Sequence, residues 1–152
     1  QALYKPIVNS NITIQNKIIM TAILIGILSG LLIIISFVLL KQFDKKMIYA
    51  LVLAGIGFLY VGFVWTHLES LIINSIQAVA FVLLAYYGIK KNSYILAAGY
   101  LLHGCWDIAY GFFRDPGLIP PHYDLFCSSL DFTICIYIII FRAWFGTKKV
   151  IA

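Results

Sequence analysis

Residues Ile18 to Leu40 read IIMTAILIGILSGLLIIISFVLL, a stretch without a charged side chain. A helix of about 20 apolar residues spans the hydrocarbon core of a bilayer, so this stretch is long enough to cross a membrane. The whole chain of 152 residues has the same character, because 62% of its residues are hydrophobic and only 11% are charged. Soluble domains carry about 25% charged residues. The sequence therefore predicts an integral membrane protein.

Five stretches of the chain have the length and apolar character of membrane spans. Their approximate boundaries are 17–40, 47–66, 71–89, 94–113 and 123–145. This pattern predicts an all-α fold, a polytopic membrane helix bundle with five transmembrane helices in one domain, 17–145. Residues 1–16 are more polar and are expected to form an N-terminal tail or a short surface segment. Residues 146–152 are expected to form a basic cytoplasmic tail.

The distribution of basic residues predicts an orientation in the membrane. An odd number of spans places the two termini on opposite sides, and Lys and Arg accumulate on the cytoplasmic side. One side holds eight basic residues, Lys41, Lys45, Lys46, Lys90, Lys91, Arg142, Lys148 and Lys149. The other side holds three, Lys5, Lys17 and Arg114. We therefore expect a multi-pass protein of the cell membrane with the N-terminus outside and the C-terminus in the cytoplasm.

The composition also limits the partners of the chain. Its net charge of +5 marks the cytoplasmic side of a membrane protein and does not indicate a nucleic acid. Three cysteines, Cys105, Cys127 and Cys135, form no CxxC motif and are expected to be buried thiols. The expected partners are the lipid bilayer, a hydrophobic or amphipathic small molecule, and other membrane subunits.

A GxxxG motif in the first span joins Gly26 and Gly30. Small residues at this spacing let two helix backbones approach closely. In a chain with several spans, the partner helix is more often part of the same chain than of a second copy. We therefore expect this motif to pack a helix within the bundle.

The fourth predicted helix carries Gly99, His103, Asp107 and Gly111 at successive i,i+4 positions, which places them on one face. A charged side chain at the centre of a bilayer costs about 2.5 to 3.5 kcal/mol, so such residues usually face the bundle interior. At about 1.5 Å per residue, His103, Asp107 and Asp131 of the fifth helix lie at similar depths. These three residues are the main candidates for chemistry.

The neighbouring helices carry further polar side chains. The fifth predicted helix has a stripe of Asp124, Cys127, Ser128, Asp131 and Cys135, and the third adds Asn74, Ser75 and Gln77. Stripes that face each other would form a polar pocket in the outer half of the bilayer, with His67, Glu69, Asp115 and His122 at its mouth. We expect the ligand-binding residues of this pocket to be Gln77, Asn74, Trp106, Tyr110, Cys127 and Ser128.

The chemistry of this pocket has several interpretations. As catalytic residues, His103 would be the base, Asp107 its orienter and Asp131 a second acid. As metal ligands, the same three residues would hold a divalent transition metal such as zinc, joined by His67 and His122 only if the loops fold inward. A purely structural hydrogen bond between the buried groups is the alternative. The residues do not decide whether the protein is an enzyme.

Three functions are consistent with these features. The first is a membrane protein that binds a metal ion or a small amphipathic ligand in the His/Asp pocket, with acid–base or hydrolytic chemistry. The second is an accessory transmembrane subunit of a larger complex, in which the polar stripes hold helices together. The third is a proton or cation transporter, which the lack of ionisable groups in the cytoplasmic half disfavours.

Two resemblances accompany this interpretation. The stretch AGYLLHGCWD from Ala98 to Asp107, followed by PPHY at 120–123 and by Asp131, resembles small prokaryotic membrane proteins of unknown function with an HGxWD-type motif. The outline is also similar to the five-helix sterol isomerase and sigma-2 receptor group, whose pocket of His, acidic and Trp residues binds sterols or hydrophobic amines. Here the intramembrane acids are Asp, so this resemblance implies a similar architecture and not a shared activity.

Overall fold

The computed structural model describes residues 4–40, 44–113 and 119–141, with side chains described in 12–40, 44–112 and 119–141. All of the regular secondary structure in these ranges is helical. The helices are α1 (Tyr4–Leu39), α2 (Lys45–Gly57), α3 (Leu59–Phe63), α4 (Leu68–Lys90), α5 (Ser93–Phe113) and α6 (Tyr123–Ile140). The all-α fold is therefore confirmed.

Four helical stretches are long and apolar enough to cross a membrane. They are Ile12–Leu39 in α1, Lys45–Phe63 across α2 and α3, the whole of α4, and the whole of α6. Helix α5 is not among the four, since it carries both His103 and Asp107. These four stretches indicate a membrane protein.

The ends of several helices differ from the sequence prediction. Helix α1 begins at Tyr4, whereas the predicted span begins near Lys17. The intervening residues contain no glycine, and Pro6 lies in the first turn, where proline does not interrupt the hydrogen-bond ladder. The apolar stretch that could cross a membrane begins at Ile12. Helix α6 is described to Ile140, so the predicted end at 145 and the tail 146–152 lie outside the described residues.

The second predicted span is interrupted between α2 and α3. Phe58 closes α2, and its backbone N–H donates to the carbonyl oxygens of Gly55 and Ile56 instead of continuing the α-helical ladder. Helix α3 then continues to Phe63. The side-chain amide of Gln77 on α4, in the orientation that suits both of its polar atoms, donates to the Gly57 carbonyl oxygen at 3.2 Å. An α4 side chain therefore satisfies a backbone group freed by the interruption.

Helix α5 lies between α4 and α6 and packs most extensively on α6. A close approach occurs at Gly104, where an added Cβ atom would lie 2.7 Å from the Phe132 ring of α6. Gly99 in turn lies against Leu53 of α2. These contacts bring one face of α5 against α6 and position His103, the neighbour of Gly104, beside the polar stripe of α6.

Helix α1 packs on α6 through its two motif glycines. An added Cβ atom at Gly26 would clash with the Ser129 hydroxyl and the Phe126 carbonyl oxygen, and one at Gly30 would lie 3.0 Å from Thr133. The GxxxG motif therefore packs two helices of one chain, as the sequence predicted. The rest of α1 exposes many large apolar side chains, which suits contact with lipid acyl chains.

The hydrophobic core lies at the end of the bundle where α2 and α5 begin and where α6 ends. Leu53, Leu96, Ile134 and Ile138 are fully buried there. The Tyr100 hydroxyl donates to the Tyr49 carbonyl oxygen at 2.7 Å, which links α5 to α2. This core fixes one half of the helices, and the candidate site lies next to it, farther along α5.

Candidate metal centre

The structure brings the three main candidate residues together. His103 Nδ1 lies 2.7 Å from Asp131 Oδ2 of α6 and 3.5 Å from Asp107 Oδ2, one turn along its own helix. One ligating atom from each of the three residues lies within 4.8 Å of the other two. The predicted meeting of the α5 and α6 stripes therefore occurs in the fold, at these three side chains.

The three side chains are excluded from solvent. His103 and Asp131 are each 1% exposed, and Asp107 is 0% exposed. Four of their polar atoms, His103 Nε2, both Asp107 carboxyl oxygens and Asp131 Oδ1, have no hydrogen-bond partner among the described residues. Two carboxyl groups this close in a medium of low dielectric constant do not both stay ionised without a cation or a shared proton. The three side chains therefore form a buried cluster that could hold a metal ion.

Aromatic rings surround the histidine of this cluster. The Phe81 ring of α4 lies edge-on to the imidazole with ring centroids 4.7 Å apart, and the Tyr60 ring of α3 lies at 6.4 Å. Tyr60 also contacts Tyr110 at 4.7 Å and Tyr123 at 6.4 Å. These apolar rings lower the local dielectric constant, which strengthens the electrostatic interactions of the cluster.

Tyr60 is a member of this site that sequence reasoning missed. It is 1% exposed, and its hydroxyl interacts electrostatically with the carboxyl group of Asp107. Tyrosines near the end of a span are ordinarily assigned to the aromatic belt at the membrane surface. The available signal was the pair Gly55 and Gly57, which precede the interruption of the span and weaken the helix there.

This chain matches the model of a known protein family. One family model covers residues 20–145, which include all three cluster residues. The chain belongs to the DUF6010 family, a family of unknown function. No curated protein and no solved structure matches the chain. The HGxWD-type motif and the likeness to sterol isomerases stay predictions.

Two further histidines of this DUF6010 chain stand apart from the cluster. His67 precedes α4 and is exposed, and His122 precedes α6 with a left-handed backbone, at φ 61°. Neither belongs to the group of ligating atoms formed by the cluster. A metal site with three histidines therefore stays a prediction. Asp115 at the predicted mouth lies outside the described residues.

Three predicted ligand-binding residues form interhelical hydrogen bonds in the DUF6010 chain. Asn74 donates from its amide nitrogen to the Ser70 carbonyl oxygen at 2.8 Å and to the Tyr110 hydroxyl at 3.1 Å. Gln77 donates to backbone carbonyl oxygens of Gly57 and of Asn74. The Asn74 side-chain oxygen is buried and has no partner in the described ranges. Both amides thus hold helices together, and only that Asn74 oxygen remains available.

The other three predicted ligand-binding residues are Trp106 on α5 and Cys127 and Ser128 on α6. Trp106 is half-buried, and its indole N–H has no partner among the described side chains and backbone. Ser128 is buried, but its hydroxyl donates to the Asp124 carbonyl oxygen of its own helix at 2.6 Å. Cys127 is buried and free, as is Cys135. Cys105 is exposed, contrary to the expectation of three buried thiols.

Proposed function

We propose that this DUF6010 protein binds a divalent transition metal ion, such as zinc, through His103, Asp107 and Asp131. One observation carries this proposal: three ionisable side chains, each at most 1% exposed, present ligating atoms within 4.8 Å of one another. Imidazole and carboxylate are ligands that zinc accepts, and three protein ligands leave a position for water or substrate. The arrangement is therefore that of a catalytic rather than a closed structural metal site.

The charge of the cluster supports this assignment. Deeply buried carboxylates are costly unless a positive charge compensates them, and one imidazolium cannot fully compensate two carboxylates. A bound metal ion would compensate both carboxylates. A metal ion held by these residues would supply Lewis-acid activation of water, so hydrolytic chemistry on an amphipathic molecule is the activity we expect.

The test is metal stoichiometry of the full chain purified in detergent. We expect about one zinc ion per chain after loading and dialysis, and loss of the metal in His103→Ala, Asp107→Asn and Asp131→Asn. The matched control is Asp124→Asn, which removes a half-buried carboxylate of α6, the helix that carries Asp131, outside the cluster. A wild-type chain that retains no metal, or an equal loss in the control, would overturn the proposal.

The behaviour of the purified chain in detergent also distinguishes the metal-site function from the accessory-subunit alternative. A wild-type chain that is monodisperse alone and holds metal supports an autonomous site. A chain that aggregates unless other membrane subunits are present favours the subunit function, in which the buried polar groups serve assembly.

A second candidate, acid–base chemistry without metal, rests on the arrangement of the imidazole. Asp131 Oδ2 forms a hydrogen bond of 2.7 Å with His103 Nδ1, while His103 Nε2 has no partner in the described part of the chain. A carboxylate at one ring nitrogen fixes the tautomer and leaves the other nitrogen free to accept a proton. Nitrogen NMR of labelled histidine, assigned with His103→Ala, tests this arrangement. We expect a proton on Nδ1 and none on Nε2 in the metal-free chain, and the opposite tautomer would contradict it.

We further propose five membrane spans, of which α5 is the fourth along the chain, with the N-terminus outside and the C-terminus in the cytoplasm of the cell. The charge distribution along the sequence supports this orientation, with eight basic residues on one side and three on the other. The packing of α5 between α4 and α6 supports its insertion with them, since its polar face is buried against protein.

A further inference from the structure

Tyr60 lies directly after the interruption of the second span, in α3. Phe58 closes α2, and Gln77 holds the freed carbonyl oxygen of Gly57. Tyr60 belongs to the first turn of α3 and is 1% exposed. A buried side chain from a third helix thus lies near the cluster formed by α5 and α6.

The Tyr60 hydroxyl meets the least satisfied group of the cluster. The Tyr60 ring lies 6.4 Å from the His103 ring, and its buried hydroxyl interacts electrostatically with the Asp107 carboxyl group. Neither that hydroxyl nor either Asp107 oxygen has an aligned hydrogen bond in the described ranges. Asp107 Oδ2 lies within ion-pair distance of His103, at 3.5 Å, whereas Asp131 approaches the same nitrogen to 2.7 Å. Asp107 is therefore the ligand that most needs a second partner to hold its orientation.

We propose that Tyr60 is a positioning residue of the metal centre, with its hydroxyl donating a hydrogen bond to one Asp107 oxygen while the other oxygen binds the metal. This inference rests on the proposed function. A carboxylate that binds a metal through one oxygen keeps lone pairs on the other, and a buried donor satisfies them. Partners of this kind orient metal ligands, and their loss lowers metal affinity by about 10- to 100-fold.

Packing alone makes a different prediction for this residue. The Tyr60 ring contacts Tyr110, Tyr123 and Phe63, so the ring contributes to the core with or without its hydroxyl. Phenylalanine keeps these contacts and removes only the hydroxyl. A structural role of the ring therefore predicts little change of metal binding in Tyr60→Phe.

The experiment uses cobalt(II) as the probe, titrated into the full chain in detergent and followed by visible absorption. We expect Tyr60→Phe to raise the Kd for cobalt by about tenfold and to change the visible cobalt spectrum. The matched control is Tyr137→Phe, which removes a phenol hydroxyl from α6 beside Tyr49, in the other half of the bundle. An unchanged Kd and spectrum in Tyr60→Phe would overturn the inference.

A second measurement covers the case in which Tyr60→Phe does not fold. An infrared difference spectrum of the tyrosine-labelled wild-type chain, with and without cobalt, reports on tyrosine C–O bonds. We expect metal binding to shift a tyrosine band, and a spectrum without such a shift contradicts the inference. A wild-type chain that binds no cobalt contradicts the proposed function instead, so the two failures are distinct.

Discussion

His103 and Asp131 lie on different helices, yet their side chains approach to 2.7 Å and are both 1% exposed. Asp107 lies one helical turn from His103, but its oxygen stays at 3.5 Å. The closer partner of the histidine is therefore the carboxylate that is distant in sequence. The two aspartates therefore differ in how closely they approach the imidazole.

The first prediction concerns the stability of the two aspartate variants without metal. We expect Asp131→Asn to lower the free energy of unfolding by about 3 kcal/mol, since it breaks a buried pair and leaves the imidazole without its partner. We expect Asp107→Asn to lower it by less than about 1 kcal/mol, or to raise it, since removing a poorly satisfied functional group often stabilises a protein. Denaturant titration in detergent with a chelator measures both.

The control for this comparison is Asp124→Asn, which we expect to change the free energy of unfolding by less than about 0.5 kcal/mol. Equal destabilisation by Asp107→Asn and Asp131→Asn would show that the two carboxylates contribute equally to the free energy of unfolding. That result would contradict the unequal contributions that the distances predict.

Much of the site could be predicted from local spacing. His103 and Asp107 share a face because residues four apart on a helix do so, and this requires no knowledge of the fold. The meeting with Asp131 required only that polar stripes in a membrane bundle face each other. The three-residue cluster follows from these two rules, and the structure agrees with both.

Other features depended on tertiary contacts that the sequence does not display. The position of Tyr60 depends on the interruption at Phe58, and that interruption is held by a Gln77 amide from another helix. The start of α1 at Tyr4 was missed because polar residues, which end an apolar pattern, do not end a helix. Hydropathy predicts where a chain is buried in lipid and is a weaker guide to where a helix begins.

A second prediction tests the packing of α1 on α6. We expect Gly26→Val to lower the free energy of unfolding by about 1 to 3 kcal/mol, because a side chain there clashes with Ser129 and the Phe126 carbonyl oxygen. The control is Gly55→Ala, where nothing lies within 4 Å of the added Cβ atom, and we expect no loss of stability. Denaturant titration in detergent compares the two, and a tolerated Gly26→Val would mean that α1 does not approach α6 this closely.

A third prediction concerns the thiols. Cys105 is exposed on α5, whereas Cys127 and Cys135 are buried. We expect an apolar maleimide to modify Cys105 of the folded chain in detergent at least tenfold faster than the other two, since access limits the reaction. Mass spectrometry of peptides from timed reactions gives the three rates. Unfolded protein, in which all three thiols react at similar rates, is the control, and rapid modification of Cys135 in the folded chain would contradict the packing of α6.

A fourth prediction tests the orientation of the bundle through the two ends of α4. Glu69 and Lys91 are both exposed and lie at opposite ends of this helix. We expect a membrane-impermeant maleimide to label Glu69→Cys in intact cells, and to label Lys91→Cys only after the cells are permeabilised, because basic residues accumulate on the cytoplasmic side. The wild-type chain is the control, since its own cysteines lie within helices. The reverse pattern would invert the orientation, and labelling of both positions from one side would mean that α4 does not cross the membrane.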